Sequence, residues 1–325
     1  MTWRLLASTL ACVLTLTGTA AAQDKYPAKP IRVIVPFSVG GPTDILTRIV
    51  GAKMSEQLGQ QLVIDNRAGA GGKVGMEMLA KAPPDGYTVG LATVSTHAIN
   101  PTLYKTMPYD PVKDFAPVGK IGEFPLVLSV YSGIAATDVA SLVALIRANP
   151  GTYSFGSPGM GSMGHLCGEA LKTQSGGLDM EHVPYRGGGQ MMNDIAAGQI
   201  PMAFEGTPTS LPQIQAGTIR PLASGSLHRA RSLPEVKTME EQGYKGFECA
   251  AWFALFAPAK TPQPIVARLS ASLNAALADP GVAARLHELG VDSSPDTSPD
   301  KLAAFLQAQL AKWGPVVAAA GVQLD

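Results

Sequence analysis

Short apolar runs alternate with helical patterns along the first third of the chain. Residues 31–35 form an apolar run interrupted only by Arg32. A glycine-containing turn follows, and Pro42 then opens a segment with apolar residues at Ile45, Ile49, Met54 and Leu58. This spacing keeps the apolar side chains on one face of a helix, so the pattern predicts a strand, a turn and a helix.

The same alternation continues along the chain. Further strands are predicted at 62–64, 87–93, 125–131, 153–155, 182–185, 202–204 and 219–224, and helices at 74–81, at 139–147 and from near Ser162. Leucines at i, i+4 spacing predict helices near the C-terminus, and the strand-like run 247–256 is long enough to cross back to the first strands. Strands alternating with helices indicate an α/β fold with parallel sheets and helices on their faces.

This order predicts two doubly wound α/β lobes with a ligand cleft between them. The first lobe comprises residues 23–123 and 247–325, and the second comprises residues 124–246. Sheets of this kind bind ligands outside the carboxyl ends of their strands, where the connecting turns meet.

The first 22 residues are typical of a cleavable export signal. Arg4 precedes a mostly apolar run, and small residues at Ala20 and Ala22 suit cleavage before Gln23. The run is about a dozen residues, whereas a membrane-spanning helix needs roughly 20. We therefore expect a periplasmic protein that is released from the membrane after cleavage.

The charge balance restricts the possible partners, and the cysteine content restricts the possible disulfides. The chain has 25 basic and 25 acidic residues, which gives no electrostatic reason to expect nucleic acid or an anionic membrane as partner. After the predicted cleavage two cysteines remain, Cys167 and Cys249. They could pair in an oxidising compartment, or remain as two separate buried thiols.

Two glycine-rich turns lead from a predicted strand into a predicted helix, at 36–44 and 156–165. Glycines let the backbone approach a ligand, and a helix N-terminus offers free N–H groups, so each turn suits an anion without Lys or Arg. The alternative is a plain turn with a helix cap. A third polar cluster, at 93–101, follows a predicted strand, and its hydroxyls either line the same cleft or cap turns.

The second turn contains G-x-G-x-x-G at Gly159, Gly161 and Gly164. A dinucleotide site is disfavoured because the preceding strand is short and the turn lies in the second half of the chain. An exported protein also meets no ready supply of such cofactors. Ser162 and His165 could meet on one helical turn, but helix capping explains the pair better than catalysis. No cofactor, no metal and no catalytic residue are expected.

Taken in order, these segments resemble the Bug family of periplasmic solute receptors of tripartite tricarboxylate transporters. The matching stretches are 30–44, 66–72, 84–88, 96–101, 109–111, 156–165, 183–185, 251–253 and 257–259. The resemblance implies a two-lobed type II periplasmic binding fold and a carboxylate held mainly by neutral donors. Carried over to this chain, it predicts as ligand-binding residues Phe37, Ser38, Gly40, Gly41, Asp44, Thr93, Ser95, Thr96, Ser157, Gly161, Ser162 and His165.

One position departs from the resemblance. The family often has Asp after the strand at 202–204, whereas this chain has Glu205. If Glu205 points into the cleft, it disfavours a second carboxylate or accepts hydrogen bonds from an amine or hydroxyl; it could equally lie outside.

The resemblance implies a monomeric receptor that binds a small organic carboxylate and passes it to a separate membrane permease. The alternatives are a sensor receptor for a signalling partner and a hydrolase that uses Ser162 and His165.

Overall fold

The structure is a computed structural model that describes residues 26–293, 297–319 and 323–325. The predicted export signal lies outside these residues. The strands are β1 Ile31–Val35, β2 Leu62–Asn66, β3 Thr88–Thr93, β4 Phe115–Tyr131, β5 Tyr153–Ser157, β6 Met180–Pro184, β7 Met202–Gly206, β8 Ile219–Ser224 and β9 Ala250–Pro258. The α-helices are α1 Pro42–Leu58, α2 Lys73–Ala80, α3 Asn100–Leu103, α4 Val139–Ala148, α5 Met163–Gln174, α6 Gly188–Ala196, α7 Thr207–Gln215, α8 Gln263–Ala278, α9 Pro280–Glu288 and α10 Pro299–Ala319.

The described strands form one connected sheet in the order β2-β1-β3-β9-β4-β7-β5-β6, with β8 paired to β4. We call β2, β1, β3 and β9 the first half-sheet, and β7, β5, β6 and β8 the second half-sheet. Pairing is parallel among β1, β2 and β3 and among β5, β6 and β7, as expected for strands joined by helices. The α/β class is therefore confirmed, but the prediction of parallel sheets is wrong at the centre, because β4 and β9 run antiparallel to their neighbours.

Strand β4 connects the two half-sheets. Its first part pairs with β9 from Phe115 to Pro125, and its last part pairs with β7 and β8. The predicted strand at 125–131 was too short, because it left out the part of β4 from Phe115 to Phe124. Pro117, Gly119 and Gly122 in this part lie at two register shifts, and a Cβ at Gly119 would be only 2.9 Å from Leu273 Cδ2. Glycine here allows helix α8 to pack closely on the strand. The residue limits of the two lobes stay a prediction.

The buried face of helix α1 differs slightly from the face that the sequence pattern predicts. Met54 and Leu58 are buried as the pattern predicts, and Leu46 and Val50 join them in the core. Ile45 and Ile49 are only half-buried, because α8 and α9 cover a face turned slightly from the predicted one. Pro42 opens the helix and Gly59 closes it with a left-handed backbone conformation, φ 69°.

Cys167 on α5 and Cys249, just before β9, are paired as a disulfide. Their Cα atoms are 6.1 Å apart, a separation that suits the bond. Of the two alternatives left open by the sequence, the structure has the paired one, which ties α5 to the start of β9. No described helix is both long and apolar enough to cross a membrane.

Candidate functional site

The turn between β1 and α1 is fixed by its own polar contacts. Asp44, on the first turn of α1, accepts a hydrogen bond from the Gly40 N–H at 3.0 Å and pairs with Arg48 at 2.9 Å. Burial opposes ionisation of this carboxyl, but the bonds from Arg48 and Gly40 lower the pKa of Asp44 below its ordinary value. Asn66 donates to the Phe37 carbonyl at 3.0 Å. Asp44 thus holds the turn, while the N-cap Gly41 has no capping side chain and leaves the helix N-terminus open.

The end of β3 continues into a π-helical turn, Ser95–Ile99. Thr93 and Thr96 bond to one another: the Thr93 N–H donates to Thr96 Oγ1 at 2.9 Å, and the Thr96 N–H donates to Thr93 Oγ1 at 3.3 Å. This exchange stabilises the turn and fully buries Thr96. Ser95 extends further, and its Oγ accepts a hydrogen bond from the Met163 N–H at 3.1 Å. Ser95 therefore joins the first half-sheet to the N-terminus of α5.

The turn before α5 is also held by internal bonds. Ser162 is the N-cap, and its Oγ accepts from the His165 N–H at 3.3 Å. The Gly161 N–H donates to His165 Nδ1 at 3.2 Å, and the His165 ring stacks on His182 with centroids 4.0 Å apart. His182 Nε2 lies 2.7 Å from Ser157 Oγ. Burial lowers the pKa of both histidines, so both rings are neutral and support the turn.

Sequence reasoning missed a third glycine-rich turn, at 187–189, which opens α6. The Ser38 N–H donates to the Arg186 carbonyl at 3.1 Å, which joins the first turn to this one. A Cβ at Gly41 would lie 3.5 Å from the Gly188 nitrogen, so the N-termini of α1 and α6 are neighbours. The run of three glycines directly after a predicted strand was the signal that could have revealed it.

Glu205 lies at the end of β7, directly before α7, and only 3% of it is exposed. Its Oε1 accepts from the Gly206 N–H at 2.8 Å, and its Oε2 has no hydrogen-bond partner among the described residues. A Cβ on Gly188 would collide with this carboxyl, so the side chain reaches the start of α6. Burial raises the pKa of Glu205 to about 7.

These elements line a cavity of about 50 Å³. It is lined by Phe37, Pro42, Thr43, Thr93, Val94, Ser95, Phe124, Leu126, Pro158, Ser162, Met163, Gly164, Gly188, Glu205, Gly206, Ala251 and Phe253. The volume exceeds the ~10–15 Å³ needed for one water but is far below the ~300–1,000 Å³ of an ordinary ligand pocket. The two half-sheets are thus close together around a small, partly open space.

The predicted ligand-binding residues fall into two groups, those that line the cavity and those that do not. Phe37, Thr93, Ser95, Ser162 and Glu205 line it. The others are not among the lining residues, namely Ser38, Gly40, Gly41, Asp44, Thr96, Ser157, Gly161 and His165. The sequence analysis missed the apolar wall, where Phe124 of β4 stacks on Phe253 of β9 with centroids 4.7 Å apart. These two rings come from strands that pair only in the folded chain, so no local motif marks them.

The electrostatics of the cavity come from the backbone. Helices α1, α5, α6 and α7 all begin at it, through Pro42, Met163, Gly188 and Gly206. Helix N-termini carry free N–H groups and a partial positive charge that favours anions. None of the lining residues is Lys, Arg or His, and Glu205 is the sole ionisable side chain among them. The described residues hold no cluster of three or more metal-ligating side chains.

The chain is similar to known proteins over most of its length. The profile of the family described as "Tripartite tricarboxylate transporter family receptor" matches residues 46–322. The chain is 35% identical to protein BugT of Bordetella pertussis, with 94% of each chain covered. Its structure is similar to that of the periplasmic binding protein BugD, with 34% identity and a TM-score of 0.89 over 92% of this chain and 99% of that one.

A further similar structure is that of Rpa4515 of R. palustris, solved with adipate. It is 38% identical, with a TM-score of 0.87 over 92% of this chain and 99% of that one.

Proposed function

The chain belongs to the tripartite tricarboxylate transporter receptor family, and we propose that it is a periplasmic receptor for a small organic carboxylate. It binds the carboxylate between the two half-sheets, closes around it and delivers it to a separate membrane permease. The observation that carries this proposal is the convergence of four helix N-termini on a cavity with no basic side chain. Such a site stabilises one carboxylate through backbone N–H groups and dipoles.

Closure is part of the proposal because of the cavity's size and its bridging contacts. A space of about 50 Å³ is too small for an organic acid to enter without opening. The bonds from Ser38 N–H to the Arg186 carbonyl and from Met163 N–H to Ser95 Oγ cross between the half-sheets. Few such polar contacts need to break for the half-sheets to separate, and a ligand that contacts both sides favours the closed form.

We propose no catalytic step. A hydrolase would need His165 to take a proton from Ser162, but His165 Nδ1 accepts the Gly161 N–H and the Ser162 hydroxyl caps α5. The hypothesis that the protein binds a carboxylate without reacting with it also agrees with the similar structure solved with adipate, a small organic carboxylate. The residues that we propose to surround the ligand are Phe37, Thr93, Ser95, Ser162 and Glu205.

The test is calorimetric titration of the exported protein with a panel of small carboxylates, using Gly41→Asp and Gly41→Asn. Gly41 has an extended backbone and room for a side chain, and an N-cap Asp or Asn suits helix α1. The Asp variant places a fixed negative charge at the N-termini of α1 and α6. We expect it to weaken carboxylate binding by at least about 100-fold through like-charge repulsion, and the isosteric Asn variant to bind far better. Equal affinities of the two variants would mean that the ligand carboxylate does not lie at the N-termini of α1 and α6.

A further inference from the structure

Glu205 is a buried carboxyl with an unused oxygen inside the proposed binding cavity. Oε1 is bonded to the Gly206 N–H, whereas Oε2 has no partner in the described chain, and the residue is 3% exposed. A buried polar atom without a partner is costly, so natural proteins keep one chiefly where a ligand or water completes it.

The surroundings of Glu205 supply no counter-charge. Helices α6 and α7, which begin beside it, contain no Lys, Arg or His. No basic side chain lines the cavity either. An ionised carboxylate in this space needs a cation or strong hydrogen-bond donors, because burying an unpaired charge is expensive. The donors that the protein offers this carboxyl, the Gly206 N–H and the Thr209 side chain, are neutral. A cationic group on a bound ligand is therefore the remaining source of counter-charge.

Glu205 also divides the helix N-termini into two sets. Its Oε1 bonds the N–H at the start of α7, and its side chain touches Gly188 at the start of α6. These two N-termini are therefore already faced by a negative group. The acidic residue on the first turn of α1, Asp44, is paired with Arg48 and does not line the cavity, and the first turn of α5 has no acidic residue. The N-termini of α1 and α5 are therefore the better place for the ligand carboxylate. A second ligand carboxylate beside Glu205 would meet a like charge.

Resting on the proposed function, we propose that Glu205 makes this receptor selective for carboxylates that also carry an amino group. The ammonium N–H donates to Oε2 of Glu205, while the carboxylate lies at the N-termini of α1 and α5. This arrangement satisfies the unpartnered oxygen and neutralises the buried carboxylate in one contact. The ligand class is then a small amino acid rather than a dicarboxylate.

The test compares matched ligands by calorimetric titration. The probes are alanine, β-alanine and 4-aminobutyrate, each set against the carboxylate without the amino group and against the dicarboxylate of equal length. We expect at least one amino acid to bind about 10- to 100-fold more tightly than both of its counterparts. A dicarboxylate that binds the unmodified protein more tightly than every amino acid would overturn the proposal.

Two variants separate this proposal from the general function. Glu205→Gln is isosteric and uncharged, and we expect it to abolish the preference for the amino group, so that the affinity ratio between each amino acid and its counterpart without the amino group falls to about one. Glu205→Asp keeps the charge, and we expect it to keep the preference at reduced affinity. If Glu205→Gln leaves the preference unchanged, Glu205 is not the selective group, although carboxylate binding stands. If no carboxylate of any class binds, the proposed function fails as well.

Discussion

Two buried carboxyls at helix N-termini differ in almost everything except their position. Asp44 at the start of α1 is bonded to the Gly40 N–H and to Arg48, and these bonds lower its pKa. Glu205 before α7 has one bonded oxygen and one without a partner, and burial raises its pKa to about 7. Asp44 Oδ1 also lacks a hydrogen bond, but it lies 2.9 Å from Arg48 Nη2 in an ion pair. Glu205 Oε2 has no hydrogen-bond partner among the described residues, and no basic side chain lines the cavity beside it. Asp44 thus stabilises a turn of the site, whereas Glu205 is the residue that we propose to select the ligand.

The sharpest way to test this difference is Glu205→Gln in the ligand-free protein. Burial raises the pKa from 4.5 to about 7, so the folded state retains a proton that the unfolded chain loses. Folding stability of the unmodified protein then falls as pH rises through this window and is lowest above it. We expect the variant to be more stable by roughly 3 kcal/mol near about pH 8, and this gain to vanish near about pH 4.

Thermal and urea unfolding at both pH values measure this gain. An equal effect of Glu205→Gln at the two pH values would mean that the carboxyl is not strained by burial. Destabilisation at high pH would mean that it has a partner.

Asp44→Asn should act in the opposite direction. It removes the ion pair with Arg48 and weakens the bond from Gly40, and hydrogen bonds to charged groups contribute about 1.5–3 kcal/mol. Because the pKa of Asp44 is lowered, its stabilisation is present above the unfolded pKa and is lost as pH falls through the folded one. We therefore expect a loss of about 2 kcal/mol at neutral pH that shrinks near about pH 3.

The exposed ion pair of Lys81 and Glu77 on α2 provides a matched control. Glu77→Gln should change the free energy of unfolding by less than about 1 kcal/mol at any pH. A comparable loss of unfolding free energy in Asp44→Asn and Glu77→Gln would mean that Asp44 contributes no more than an exposed ion pair.

Ser95→Ala should give the smallest effect, and it tests contact between the two regions. It removes the acceptor of the Met163 N–H, a bond between the first half-sheet and α5. Such a bond contributes about 0.5–1.5 kcal/mol. We expect carboxylate affinity to fall by about threefold to tenfold, with little change in thermal stability of the ligand-free, open form. A larger loss of stability than of affinity would show that Ser95 supports the fold instead of closure.

The sequence predicts the strand-turn-helix order well, because apolar periodicity and glycine turns are local signals. β1 and α1 begin where the pattern places them. The first half of β4 was missed because its glycines make close contacts that exist only in the folded chain, as at Gly119, where a Cβ would be 2.9 Å from Leu273 of α8. The antiparallel centre of the sheet was missed for the same reason, since it depends on pairing between residues more than 100 positions apart.

The candidate site divides in the same way. Ser95 and Ser162 follow local turn chemistry and line the cavity as their position suggests. Phe124 and Phe253 were missed, because they meet only through β4 and β9. The orientation of Glu205 could not be read from the sequence, which left both directions open. It depends on how closely α6 approaches β7, and the glycine at 188 makes that approach possible.

A crystal structure with the tightest-binding amino acid tests the central claim most directly. We expect ligand carboxylate oxygens within about 3.2 Å of backbone N–H groups at the starts of α1 and α5, and the ligand ammonium within the same distance of Glu205 Oε2. A ligand carboxylate held by Lys or Arg, with Glu205 Oε2 still without a partner, would contradict it.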